Sequence, residues 1–139
     1  FSFIKSESLV PFEMFPLICG FAAVIGHCYP IFYNFKGGKG AGTILGMLLS
    51  VFPQALIPAI CVWIITLILT GYVGLGTMLA GITIAVTANF FPSESMNLYM
   101  DELSLILMIF IIFTHRSNIQ RMLNKNENQF EKIMLFKKK

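Results

Sequence analysis

Glycines and lysines are concentrated in one polar stretch of this sequence, which reads GHCYPIFYNFKGGKGAGT from Gly26 to Thr43. Consecutive glycines such as Gly37 and Gly38 leave backbone N–H groups exposed, and Lys36 and Lys39 add positive charge. The segment that follows is expected to begin a helix, whose N-terminus also favours anions. The stretch therefore predicts a site for phosphate or carboxylate; the alternative is an ordinary basic turn.

The same stretch does not match a nucleotide-binding P-loop. That motif, GxxxxGK[ST], needs serine or threonine directly after the lysine, whereas Lys39 is followed by Gly40. Thr43 lies too far along the chain to hold magnesium in the usual geometry. Nucleotide hydrolysis is therefore disfavoured.

A second polar cluster reads THRSNIQR, from Thr114 to Arg121. His115 and Asn118 are three residues apart and share one face of a helix, and Arg121 continues that stripe. A histidine, an amide and a guanidinium together form a plausible polar site. The alternative is a solvated helix end with basic anchors.

These two clusters must be positioned by membrane helices, because the composition is that of an integral membrane protein. The 139 residues are 56% hydrophobic and 12% charged, with a mean hydropathy of +0.76. Soluble domains carry about 25% charged residues. A nucleic-acid partner is excluded for lack of a basic soluble face. The cysteines (Cys19, Cys28, Cys61) fit neither a metal nor a disulfide pattern, so we predict no metal.

The apolar pattern predicts an all-α fold, a polytopic transmembrane helical bundle forming a single membrane domain over residues 1–139. Breaks are expected at Phe52-Pro53 and from Gly71 to Gly74, since proline and glycine interrupt helices. Gly42 and Gly46, like Gly76 and Ala80, are spaced for close helix packing. About five spans are predicted: Leu9–Ile25, Ala41–Phe52, Gln54–Thr70, Val73–Phe91 and one containing Leu103–Phe113.

Charge placement predicts the topology. Lys36 and Lys39 lie before four predicted spans, and a second basic group follows them (Arg116, Arg121, Lys125, Lys132, Lys137–Lys139). An even number of crossings puts both groups on one side, and basic residues beside spans mark the cytoplasmic side. The start of the chain, with Lys5 and Glu7, would then lie outside.

Together the two clusters resemble the acyl-phosphate:glycerol-3-phosphate acyltransferase family of bacterial membranes, known as PlsY. GHCYPIFYNFKGGKGAGT is similar to the family's second motif, and THRSNIQRMLNKNENQF to its third. Gly42 stands where the family usually has another small residue, and Glu127 matches a family glutamate. The first motif, a Ser-Gly-Asn loop, is not found in the chain. The resemblance thus implies the last five of seven spans, and we expect the chain alone to be inactive.

The resemblance implies transfer of an acyl group from acyl phosphate to the sn-1 hydroxyl of glycerol 3-phosphate at the cytoplasmic face of a bacterial membrane, without a cofactor. In that reaction Lys39, His115 and Asn118 are the expected catalytic residues. His115 acts as general base unless a substrate phosphate takes the proton. The expected phosphate-binding residues are Lys36, Gly37, Gly38, Lys39, Gly40, His27, Arg116 and Arg121.

The acyl chain is expected in lipid or between helices, near Phe32, Phe35 and the face of Gly42 and Gly46. Two other functions compete with the acyltransferase: a fragment of an anion transporter or flippase, and a non-catalytic membrane subunit. The transporter would need a second matching half, and no internal repeat is seen.

Overall fold

The fold is a bundle of helices, seen in a computed structural model that describes residues 11–91, 99–130 and 134. Within those ranges the chain forms helices and turns and no strand, which confirms the predicted all-α class. The predicted connector at residues 92–98, the first ten residues and the basic residues Lys132 and Lys137–Lys139 lie outside the described part. The helices are α1 (Phe15–Cys28), α2 (Ala41–Val51), α3 (Leu56–Thr70), α4 (Val73–Phe90), α5 (Met100–Thr114) and α6 (Arg116–Leu123).

Proline and glycine set several helix ends, as the sequence predicts. Pro16 lies in the first turn of α1, where its missing N–H is tolerated. Helix α2 ends before Phe52, and Pro53 opens a short 3₁₀ turn that leads into α3. Gly71 ends α3 with φ of +72°, a left-handed conformation that glycine adopts without steric cost.

Among the residues that the structure describes, three segments are long and apolar enough to cross a membrane: Phe12–Tyr33, Pro53–Thr70 and Val73–Phe90. Helices α5 and α6 meet at a bend of 51° and form a fourth if the pair is one span. Helix α2 has 11 residues. It is therefore about 16 Å long, against about 30 Å of hydrocarbon. Five successive helices thus correspond to the expected five spans, and α2 by itself reaches only part of the way across.

The helix junctions that carry the polar clusters converge at one end of the bundle. The N–H of Gly37 donates to the Cys28 carbonyl at the end of α1, 3.1 Å away. The Thr114 hydroxyl at the end of α5 donates to the Lys39 carbonyl at 3.1 Å. Four helices, α2 to α5, lie between these two positions, and after them the chain returns to the same end of the bundle. The predicted even number of crossings agrees with this arrangement.

The core lies between these helices, and small residues allow their close approach. Phe52, Leu48 and Met100 are fully buried. A Cβ placed on Gly76 would lie 3.1 Å from Trp63 Cδ1, so this glycine is a packing residue, as predicted. Gly42 and Gly46 differ from the prediction, because a Cβ on either would meet nothing within 4 Å.

Candidate active site

The glycine-lysine loop is folded back against the end of α1. Asn34 and Phe35 adopt positive φ, and Gly40 does so with φ of +80° immediately before α2. The N–H groups of Gly37 and Gly38 donate to the carbonyls of Cys28 and His27 at 3.1 and 3.2 Å. These two N–H groups are therefore engaged by the protein itself.

This arrangement corrects the expected role of the two central glycines. A Cβ on Gly37 would collide with the His27 carbonyl, and one on Gly38 with the His27 ring. Gly37 and Gly38 thus permit close contact between loop and helix. They do not line the polar cavity described below, whereas Lys39 and Gly40 do.

Lys39 joins the loop to the second cluster. Its ammonium donates a hydrogen bond to Oδ1 of Asn118. Its carbonyl accepts from the Thr114 hydroxyl. Burial lowers the pKa of Lys39 from its ordinary value, and the positive charge of Arg121 lowers it further, while Glu127 opposes the shift.

The stripe predicted along the second cluster is present, with His115 at the bend between α5 and α6. The His115 side chain is buried, and Nδ1 lies 2.9 Å from the carbonyl of Ile111. A carbonyl only accepts, so Nδ1 carries the proton and Nε2 keeps a free lone pair. Because His115 lines the cavity, it can orient or deprotonate a hydroxyl group there.

Glu127 contacts two residues of the stripe, Asn118 and Arg121. No role was predicted for it from the sequence. It accepts a hydrogen bond from Asn118 Nδ2 at 2.7 Å and pairs with Arg121 Nε at 2.6 Å. The hydrogen bond from Arg121, followed by that from Asn118, lowers the pKa of the Glu127 carboxyl. The match between Glu127 and a family glutamate was the signal that could have identified it.

Three expected phosphate-binding cations, Lys36, Arg116 and Arg121, do not line the cavity, although Arg121 pairs with Glu127, which does. Arg116 donates to the Phe113 carbonyl at 3.1 Å and stacks over the Phe113 ring at 4.6 Å. Two residues correspond to about 200° around a helix, so Arg116 and Asn118 occupy opposite faces of α6. Lys36 is exposed, and neither it nor Arg116 lines the cavity.

The cavity enclosed by these elements has a volume of about 410 Å³. Beside it runs an apolar groove of about 450 Å³, lined mainly by α2, α3 and α4 and also by Ile111 of α5. Phe32, Phe35 and Gly46, which were expected beside the acyl chain, do not line either space. The two spaces have four residues in common: Ala41, Gly42, Val73 and Thr77. The cavity is lined by His27, Lys39, Gly40, Ala41, Gly42, Val73, Gly74, Thr77, His115, Asn118, Glu127, Asn128, Gln129 and Phe130.

Among residues 11–91, 99–130 and 134, no group of three or more histidine, cysteine, aspartate or glutamate side chains is placed to hold a metal ion. The three cysteines of this part are unpaired. Cys28 is buried at the end of α1, where it contacts the loop at Gly40.

Comparison with known proteins relates this chain to a family of bacterial enzymes. Residues 2–125 match the family described as glycerol-3-phosphate acyltransferase. The glycerol-3-phosphate acyltransferase of Bacillus subtilis is 41% identical over 119 residues, which cover 86% of this chain and 60% of that protein. Glycerol-3-phosphate acyltransferase 2 of Bacillus anthracis is 38% identical over 114 residues, covering 82% and 58%.

The fold is similar to that of a solved structure. The crystal structure of PlsY, an integral membrane glycerol 3-phosphate acyltransferase, in its glycerol 3-phosphate form has a TM-score of 0.73 and 32% identity. The match covers 80% of this chain and 54% of that one. The form with lysophosphatidic acid gives the same TM-score and identity. The chain therefore spans somewhat more than half the length of the relatives it matches.

Proposed function

This chain belongs to the glycerol-3-phosphate acyltransferase family, and we propose that it carries part of the active site of a multi-pass bacterial membrane enzyme. The enzyme transfers an acyl group from acyl phosphate to the sn-1 hydroxyl of glycerol 3-phosphate. The products are lysophosphatidic acid and inorganic phosphate. The observation that carries the proposal is the contact of Lys39 with Asn118 in a polar cavity that opens into an apolar groove.

The two adjoining spaces suit a donor with a charged head and an apolar tail. Lys39 provides a cation at the wall of the polar cavity, where a phosphate group would lie. The groove is lined almost entirely by apolar side chains and begins at Ala41 and Gly42, on the cavity wall. An acyl phosphate placed across the junction would have its carbonyl carbon beside the polar groups.

The reaction needs positioning more than covalent catalysis, because acyl phosphate is an activated mixed anhydride. The acceptor hydroxyl oxygen attacks the carbonyl carbon, and the bond from that carbon to the phosphate oxygen breaks. The phosphate leaves with the bonding electron pair, and Lys39 stabilises its charge. The hydroxyl proton passes to Nε2 of His115 or to a substrate phosphate. Asn118, held by Lys39 and Glu127, orients the reacting groups.

The charge of the described site suggests that further groups complete it. Lys39 and Arg121 contribute two positive charges and Glu127 contributes one negative charge, which leaves a net charge of +1. Two phosphate groups held side by side require more positive charge than this. We therefore expect the protein to need residues from the part of the family fold that this chain does not span. The cytoplasmic orientation of the site is part of the same proposal, because basic residues flank its end of the bundle.

The proposal is tested with the protein expressed from its complete reading frame and reconstituted in vesicles. Phosphate release is measured with hexadecanoyl phosphate, with glycerol 3-phosphate and with both. We expect release with both substrates only, little activity with an acyl thioester as donor, and loss of release in Lys39→Ala. Normal turnover by Lys39→Ala would contradict the assignment of the loop. Uptake of glycerol 3-phosphate into sealed vesicles without a donor would favour the transporter.

A further inference from the structure

Gly42 occupies the junction of the two spaces. It lines both the polar cavity and the apolar groove, one residue into α2. Its backbone does not need glycine, since its φ lies outside the positive region. A Cβ there would meet no protein atom within 4 Å. Neither backbone conformation nor helix packing therefore accounts for glycine at this position.

The groove beyond Gly42 is lined mainly by α2, α3 and α4, with Ile111 of α5 as a further wall residue. Ile44 and Leu48 of α2, Ala59 of α3, and Ala80 and Ile84 of α4 line it. From Thr77 at the junction to Ile84 the groove follows two turns of α4, which is about 10 Å. The small residue Ala80 lies one turn below the junction.

We propose that Gly42 and Ala80 are specificity-determining positions for the acyl donor. Gly42 sets the width of the opening through which the chain leaves the polar cavity, and Ala80 leaves room for the chain one turn deeper. This inference rests on the proposed function, because it assigns the groove to the acyl chain of the same substrate. A side chain at residue 42 would occupy the opening and exclude long chains.

Gly46 provides a matched control for Gly42. It lies four residues further along the same helix, and a Cβ there also meets nothing within 4 Å. It does not line the cavity or the groove. Leucine at either position therefore adds the same apolar volume to α2, but only at residue 42 does that volume enter the path of the chain.

The first experiment compares kcat/KM for hexadecanoyl phosphate and octanoyl phosphate in the complete protein. We expect Gly42→Leu to lower the ratio of kcat/KM for hexadecanoyl phosphate to kcat/KM for octanoyl phosphate by roughly tenfold or more. A change of this size corresponds to the usual free-energy cost of forcing extra side-chain volume into a packed site. Ala80→Leu should lower the same ratio with less effect on the short donor, and Gly46→Leu should leave it unchanged. The proposal would be overturned if Gly42→Leu lowered kcat/KM equally for both donors. It would also be overturned if Gly46→Leu changed the ratio of the two kcat/KM values as much as Gly42→Leu does.

A second experiment is independent of turnover. A hexadecanoyl phosphonate with a diazirine at mid-chain is photolysed with the complete protein in nanodiscs, and labelled residues are identified by mass spectrometry. We expect labels within Ala59–Trp63 and Ala80–Ile84, which are lost in Gly42→Leu and retained in Gly46→Leu. Labels confined to lipid-facing side chains would refute the assignment of the groove. Groove labelling without phosphate release would refute the proposed reaction alone.

Discussion

Lys39 and Asn118, 79 residues apart in the sequence, are joined by a hydrogen bond from the lysine ammonium to the amide oxygen. The Asn118 amide nitrogen donates to Glu127 at 2.7 Å, so both ends of the amide have partners of the right kind. These two partners fix which end of the Asn118 amide is oxygen and which is nitrogen, an assignment that the similar shapes of the two ends would not settle by themselves. The contact also links the glycine-lysine loop to the bend between α5 and α6.

The first prediction concerns the charge balance around Asn118. In Asn118→Asp the amide nitrogen becomes an oxygen that faces the Glu127 carboxylate, and a negative charge is added beside Lys39. We expect kcat/KM for glycerol 3-phosphate to fall by roughly a hundredfold, the scale for loss of one oriented polar group in an active site. Ser117→Ala, on the same helix but outside the cavity, is the control and should stay within about twofold.

The second prediction concerns Gly74, which lies against Asn118 from α4. A Cβ at Gly74 would lie 2.7 Å from Asn118 Nδ2, so Gly74→Ala must displace the amide. We expect Gly74→Ala to lose most phosphate release while its helix content, measured by circular dichroism, is retained. Gly26→Ala is the control, because a Cβ at Gly26 meets nothing within 4 Å. Full activity in Gly74→Ala would show that the position of Asn118 does not matter.

The third prediction separates cations that line the cavity or pair with a lining residue from cations that do neither. Lys39 lines the cavity, and Arg121, outside the lining, pairs with the cavity residue Glu127. Lys36 is exposed, and Arg116 donates to the Phe113 carbonyl. We expect Lys39→Ala and Arg121→Ala to weaken binding of glycerol 3-phosphate, measured by calorimetry, by roughly tenfold or more. Lys36→Ala and Arg116→Ala should bind within about twofold of the unsubstituted protein. Comparable losses in all four variants would restore the set of cations expected from the sequence, and losses in Lys36→Ala and Arg116→Ala alone would contradict the site described here.

The fourth prediction concerns the fall in phosphate affinity at alkaline pH, the alkaline limb of the curve of affinity against pH. Burial lowers the pKa of Lys39 below 10.5, and only the protonated form attracts phosphate. Affinity for phosphate should therefore fall as the pH rises through this lowered pKa, earlier than for an exposed lysine. Lys39→Arg should bind phosphate with an alkaline limb shifted to higher pH, because arginine stays charged. An unchanged limb in Lys39→Arg would assign the titration to another group.

The fifth prediction concerns stability in acid. Partners lower the pKa of folded Glu127 below 4.5, so its ionised form stabilises the fold above that value. This stabilisation should be lost as the pH falls through the lowered pKa. Glu127→Gln should lower the melting temperature by a few degrees at pH 7, and the difference should disappear in strong acid.

The sequence predicted helices well where proline and glycine interrupt apolar runs. The breaks expected at Phe52-Pro53 and from Gly71 onward are the observed ends of α2 and α3. The prediction of helix-packing residues was less accurate, because local sequence preference does not decide which residues face a neighbouring helix. Gly42 and Gly46 have the spacing of packing glycines, yet which face of a helix meets a neighbour depends on the placement of the other helices.

The site residues likewise divide into those that could be predicted from local spacing and those that depend on the tertiary structure. The stripe of His115, Asn118 and Arg121 follows from helical periodicity, so it could be predicted from spacing alone. Glu127 could not be placed by periodicity, because it lies beyond the end of α6 and reaches Asn118 only when the chain turns back. The exposed position of Lys36 likewise depends on how the loop folds against α1.

The sequence by itself determined that the chain is a membrane-embedded helical bundle and that two polar segments carry its chemistry. Both conclusions rest on composition and local spacing. These properties can be read from each segment of the sequence without knowing where the other segments lie in the fold. The tertiary structure alone decided which polar atoms meet. It turned the N–H groups of Gly37 and Gly38 toward α1, paired Lys39 with Asn118, and opened the groove at Gly42. These contacts depend on the relative positions of helices distant in sequence, which short-range preferences do not fix.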